Sequence, residues 1–185
     1  MILKYQKIFV AHDDRHSTTI TLVEPDYNDG DPRMTELCTI GEDTYVHVPD
    51  DMVLPEQPFN IDVGMEAVIL TNELKAEIKA LSPHFRLAYS RLDTEKKSRL
   101  NCGFEYDGIT FDSDINARVA FSELAMKFST EPTYEKRWKA SQGDWVTITA
   151  STFTEIMTAG ETHVSDVFEW LELEQLAVDL SFGLA

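Results

Sequence analysis

His12 and His16 stand four residues apart in the run His12-Asp13-Asp14-Arg15-His16. On a helix that spacing puts two imidazoles on one face, where they can share a zinc ion. The run follows a β-like segment and carries two acids, a composition that also makes a solvated turn, and no cysteine or third histidine lies nearby. His47, His84 and His163 are scattered without ligand spacing. Asp107, Asp112 and Asp114 offer the carboxylate oxygens that hard cations take, but not at the spacing of a helix–loop–helix calcium site. Asp112 and Asp114 suit the start of a helix, where side-chain caps and negative charge are favoured. Asp26-Tyr27-Asn28-Asp29-Gly30-Asp31 reads first as a turn. Nucleophile-elbow, phosphate-loop and dinucleotide-loop motifs are absent. The expectation is a non-enzymatic chain without metal or cofactor. A small metal-dependent hydrolase using His12, His16 and nearby carboxylates is the remote alternative.

The remaining candidates are contact residues. Trp138 and Trp145 flank a hairpin turn, where they would meet across the strands or present a platform for a partner or carbohydrate. Trp170 sits beside the apolar stripe of the last helical segment and next to Glu169, and is the better candidate for an intermolecular contact. Leu74, Ile78, Leu81, Phe85, Ala88 and Leu92 alternate at spacings of four and three, the repeat of a coiled-coil stripe. That stripe packs on its own chain or forms an oligomerising stem.

The elements that must position these residues are legible as an α+β chain in three modules. Residues 1–62 form a β-rich module, with short strands at Leu3–Val10, Thr19–Val23, Glu36–Ile40 and Tyr45–Val48 separated by turn clusters such as Asp26 to Pro32. Pro49, Pro55 and Pro58 then mark an extended linker. Residues 63–101 form a helical connector. Ser82-Pro83 suggests a cap followed by proline at a first helical position, which divides it into helices 66–81 and 83–100.

Residues 102–185 read as hairpin, helix, hairpin, helix. Asp107-Gly108 demands a type I′ turn between Phe104-Glu105-Tyr106 and Ile109-Thr110-Phe111, and Asp112 or Ser113 would cap the helix that follows. Ile115, Val119, Leu124 and Phe128, with Ala125, fit one face of that helix. Tyr134–Lys139 pairs with Trp145–Thr149, and Thr152 to Glu155 has capping-box spacing for the last helix, with Gly160 as an interruption. The last helix exposes an acidic face of Glu161, Asp166, Glu169, Glu172, Glu174 and Asp179.

Charge narrows the partners. The net charge is −17, which opposes binding to bare nucleic acid because no cation surplus displaces phosphate counterions. Residues 1–65 hold four Lys/Arg against thirteen Asp/Glu (−9), residues 66–100 seven against five (+2), and residues 101–185 five against fifteen (−10). The apolar runs are too short to span a membrane, and Met1–Val10 carries two lysines without a cleavage site. Cys38 and Cys102 stand in no metal or redox spacing and suit a reducing compartment.

Phe104 to Asp114, then Trp138, then Trp145-Val146-Thr147-Ile148-Thr149 before the closing helix, resembles a domain of unknown function that recurs in tail-fibre and other tail-associated proteins of tailed bacteriophages. Tyr45 to Pro58 resembles a connector of phage tail proteins. The resemblance implies a virion structural protein, an adaptor joining other tail or fibre proteins, and implies no reaction. A tail-fibre assembly chaperone, lost from mature particles, is the alternative. Its expected partners are other tail and fibre proteins, with homo-oligomers through residues 66–100 if the stripe is intermolecular, and with neither nucleic acid nor membrane. Its expected place is the host cytoplasm during assembly, then the virion.

Overall fold

The structure, a computed structural model, describes residues 1–6, 8–13, 18–23, 35–51, 66–143 and 145–185, with side chains outside 8–13, 18–23 and 66–67. The fold is α+β, with antiparallel sheets and four helices among the described residues. The chain divides into two compact units: Met1–Tyr89 with Leu176–Ala185, and Ser90–Gln175. The sequence suggested modules at 1–62, 63–101 and 102–185. By contacts, the first helix of the connector belongs with the β-rich residues, and the second helix supplies residues to both units.

In the first unit, β1 (Ile2–Gln6), β4 (Thr35–Ile40), β5 (Asp43–His47) and β6 (Glu66–Ala67) form an antiparallel sheet in the order β4-β5-β1-β6. Ile8–Asp13 (β2) and Thr18–Val23 (β3) form a separate hairpin, in register from Ile8 opposite Val23 to Asp13 opposite Thr18. The run Leu3–Val10 therefore supplies two strands to two sheets. His12 and Asp13 belong to the backbone of β2 and not to a turn. Asp14, Arg15, His16, the Asp26–Pro32 cluster and the proline segment from Met52 onward lie outside the described residues.

Within the sheet Leu3 stands opposite Val46 and Tyr5 opposite Thr44, and all four are buried. Ile2 and Tyr45 point to the other face, where α1 (Asn72–Leu81) and the first turns of α2 (Pro83–Asn101) complete the core. Thr71 caps α1, its hydroxyl accepting from the Leu74 N–H at 3.2 Å. The helix thus starts six residues later than the apolar pattern suggests, because Glu66 and Ala67 pair with Lys4 and Leu3 instead. Ser82 joins the helices: its N–H donates to the Ile78 carbonyl at 2.9 Å, and its carbonyl accepts from the Arg86 N–H at 3.1 Å. Its buried hydroxyl has no hydrogen-bond partner, so the cap expected of this serine is made by backbone alone.

Ile78 and Phe85 are inside this core with Ile2, Leu37, Cys38, Tyr45 and Leu184. Burial, then the Glu77 and Glu36 carboxylates, push the Cys38 thiol up to about 11. Asp179 accepts from Lys79 at 2.5 Å and from the Tyr89 hydroxyl at 2.9 Å. It is therefore engaged, unlike the free acidic face in which the sequence pattern grouped it.

In the second unit, β7 (Phe104–Tyr106) and β8 (Ile109–Phe111) meet at Asp107 and Gly108, with φ of 50° and 73°. Two successive positive φ values make the type I′ turn anticipated from Asp-Gly. The cap of α3 (Ile115–Thr130) is Asp114, whose carboxylate accepts from the Ala117 N–H at 2.8 Å. Asp112 instead accepts from the Ser141 hydroxyl, and the Ser113 hydroxyl accepts from Gly103 and donates to Leu100. The buried face of α3 is Ala117, Phe121, Leu124 and Phe128. Ile115 and Val119, expected inside, are 69% and 53% exposed. The aromatic rings decide the rotation of the helix: only the observed face puts both Phe121 and Phe128 in the core.

Lys136–Lys139 (β9) pairs with Trp145–Ile148 (β10), and α4 (Ala150–Ser181) closes the chain. The capping interactions of α4 sit at Thr149, not Thr152. The Thr149 N–H donates to the Thr152 hydroxyl at 2.9 Å, and the Thr152 N–H to the Thr149 hydroxyl at 3.3 Å, a reciprocal cap. Glu155 is left to accept from the Tyr106 hydroxyl. Gly160 does not interrupt α4.

Ile78→Ala should destabilise the first unit by about 2–5 kcal/mol, the cost of emptying a packed core position. Leu81→Ala, at a side chain 46% exposed, should change stability by under about 0.5 kcal/mol. Urea unfolding of both variants checks the difference.

Candidate partner-binding site

Along α3 and α4, small residues leave room beside a floor of aromatic rings. Phe104 and Phe121 lie at the base of a cavity of about 440 Å³, walled by Ser122 and Ala125 of α3 and by Met157, Gly160 and Val164 of α4. Gly160 is the close point: a Cβ there would stand 3.3 Å from Cζ of Phe104. Glycine in this helix is a packing requirement, not a break. The cavity is in the size range of sites that seat small molecules or single anchoring side chains.

Of its polar rim, formed by Arg118, His163 and Glu161, two side chains are already occupied. Arg118 donates from Nε to the Ser113 carbonyl at 2.8 Å and from Nη2 to the Leu100 carbonyl at 3.0 Å. Leu100 is in the last turn of α2, so this guanidinium satisfies an end carbonyl and offsets the negative end of the helix. His163 holds the Arg99 carbonyl through Nε2 at 3.0 Å. Bound this way, both side chains serve the backbone, and the trough between them is lined mostly by apolar side chains. The apolar surface continues past the rim. At 100° per residue, Ile115, Val119 and Met126 follow Ser122 around α3, and Phe168 follows Val164 along α4; all five of these large apolar side chains other than the serine are exposed.

The contact residues chosen from sequence do not form one site. Leu74, Ile78, Leu81 and Phe85 belong to the first unit, where Ile78 and Phe85 are core, Leu74 packs partly buried against them and Leu81 is exposed. Trp138, Trp145, Trp170 and Glu169 belong to the second. Trp138 stands opposite Val146, and Trp145 opposite Lys139, so the two indoles point to opposite faces of the hairpin and do not meet. Trp138 turns inward and stacks on Phe121, with centroids 4.6 Å apart and planes 8° from parallel. Trp145 is 58% exposed, with the Arg137 guanidinium 5.0 Å from its ring. Trp170 is half-buried beneath Arg99, 3.9 Å from its centroid. Glu169 is exposed. The cavity was missed in the sequence; its one signal was Gly160 within a helical pattern.

Among the described residues, no group of three His, Cys, Asp or Glu side chains is placed to hold a metal ion. The His12–His16 run falls largely outside them. Among the described residues, no helix is long and apolar enough to cross a membrane.

Gly160→Val should destabilise the second unit by about 1–3 kcal/mol, because the added methyls meet the Phe104 ring and overpacking outweighs the gain in helix propensity. Equilibrium urea unfolding followed by tryptophan fluorescence measures it.

Residues 86–174, just under half of the chain and nearly coincident with the second unit, match the family described as a domain of unknown function, DUF4376. No curated protein and no solved structure matches the chain.

Proposed function

We propose that this chain is a non-enzymatic adaptor of a bacteriophage tail, which seats an apolar side chain or short segment of another tail or fibre protein between α3 and α4. The observation that carries the binding role is the aromatic-floored trough flanked by exposed Val119, Met126 and Phe168. Apolar surface of this kind on a soluble domain marks contact with another protein. The tail assignment rests on the resemblance of the Phe104–Asp114, Trp138 and Trp145–Thr149 pattern to tail-associated domains. An acidic chain without a nucleophile-elbow or phosphate-loop motif is compatible with that role.

Mass spectrometry of purified particles from the phage that encodes the chain tests the assignment, with Ala125→Arg/Val164→Arg as the groove-blocking variant. Wild-type chain should be present. The variant, with an unchanged circular dichroism spectrum, should be depleted by about tenfold or more, as loss of a buried anchor at an interface implies. Consistent absence of the wild-type chain from mature particles overturns the adaptor role; recovery only with immature fibres assigns it to a chaperone.

A further inference from the structure

The outward face of the β9–β10 hairpin concentrates positive charge on a chain that is otherwise acidic. Residues 101–185 hold five Lys/Arg, and three of them, Lys136, Arg137 and Lys139, are on β9. Strand alternation gives Arg137 and Lys139 the same face as Thr147 and Trp145, opposite to the face on which Trp138 packs. Arg137, Lys139 and Trp145 are all exposed, and among the described residues neither cation has a carboxylate in ion-pair range.

The complementary surface is on α4. No Lys or Arg follows Lys139 in the chain. Glu169 and Glu172 lie one turn apart on α4, exposed and without an ion pair among the described residues, with the exposed Leu173 beside them. Two residues apart on a strand, Arg137 and Lys139 are separated by about 6.7 Å. Three apart on a helix, Glu169 and Glu172 have Cβ atoms about 5–6 Å apart. The two pairs match in spacing and oppose in charge, and each has an apolar neighbour, Trp145 on the hairpin and Leu173 on the helix.

We propose that the hairpin face of one copy docks on the Glu169–Glu172–Leu173 face of a second copy, Trp145 packing on Leu173 at the end of the pair of ion pairs where Lys139 and Glu172 meet. Because different patches meet, the contact is heterologous unless both pairs form reciprocally in a dimer. The net charge of −17 opposes association at long range. The contact is therefore weak and concentration-dependent. It is electrostatic in kind: salt weakens its ion pairs and also eases the long-range repulsion.

Sedimentation equilibrium of the full chain tests this, at up to about 1 mM protein and from about 0.05 M to about 0.5 M salt. Wild type should gain mass with concentration. Arg137→Glu/Lys139→Glu and Glu169→Lys/Glu172→Lys should each, alone, lower the association constant by about tenfold or more. An equimolar mixture of the two variants should recover it, because each then meets an opposite charge on the other. Circular dichroism confirms that both variants are folded. A wild type that stays monomeric, either variant associating like wild type, or a mixture no better than its components overturns the proposal.

Discussion

The stack of Phe121 on Trp138 is the contact on which the second unit depends. Phe121 extends from the middle of α3 and lies within 6.4 Å, centroid to centroid, of Phe104, Phe111, Trp138 and Phe153. One ring from one helix thereby meets both strands of the first hairpin, one strand of the second, and α4. The second hairpin needs this anchor, since two four-residue strands are not stable alone in water. Because side chains alternate along a strand, turning Trp138 inward also turns Arg137, Lys139 and Trp145 outward. The same ring, with Phe104, forms the floor of the trough between α3 and α4. A structural core contact thus sets the position of both exposed surfaces.

Local signals were legible wherever backbone chemistry left little choice. Asp107-Gly108 fixed its turn through positive φ, and Ser82-Pro83 divided two helices because proline has no N–H to donate. The errors came where neighbours in space decide. The face of α3 was read correctly at Leu124 and Phe128 and wrongly at Ile115 and Val119, which are as apolar as Ala117 and Phe121, so that only the surrounding rings distinguish the two stripes. Gly160 was read as a break from helix propensity, although its role is to let the Phe104 ring approach. Of the caps the sequence offered for α3, Asp114 is the one used; Asp112 and Ser113 are not, because Asp112 accepts from Ser141 and the Ser113 hydroxyl is engaged by Gly103 and Leu100. Glu66 and Ala67 extend a sheet through pairing with Leu3 and Lys4, more than sixty residues earlier in the chain, which no local window contains.

The candidate site was the least legible feature for the same reason. Its floor comes from β7 and α3, its far wall from α4, and two of its polar rim residues, Arg118 and His163, are spent on the end of α2. None of these residues has a spacing that marks it as functional. Arg118, His163 and Glu161 border a cavity, a grouping that resembles chemistry by residue type alone. Their hydrogen bonds separate the roles: the first two hold backbone carbonyls, and the remaining lining is mostly apolar. That division is compatible with the contact role proposed above.

Hydrogen exchange of the whole chain, read at single amides, tests the central role of the Phe121–Trp138 stack. If that contact ties the elements together, the paired amides of β9 and β10 should be protected to a degree comparable with those of α3 around Phe121 to Phe128, because both open only when the aromatic core opens. Hairpin amides exchanging close to the free rate while α3 remains protected would contradict the account.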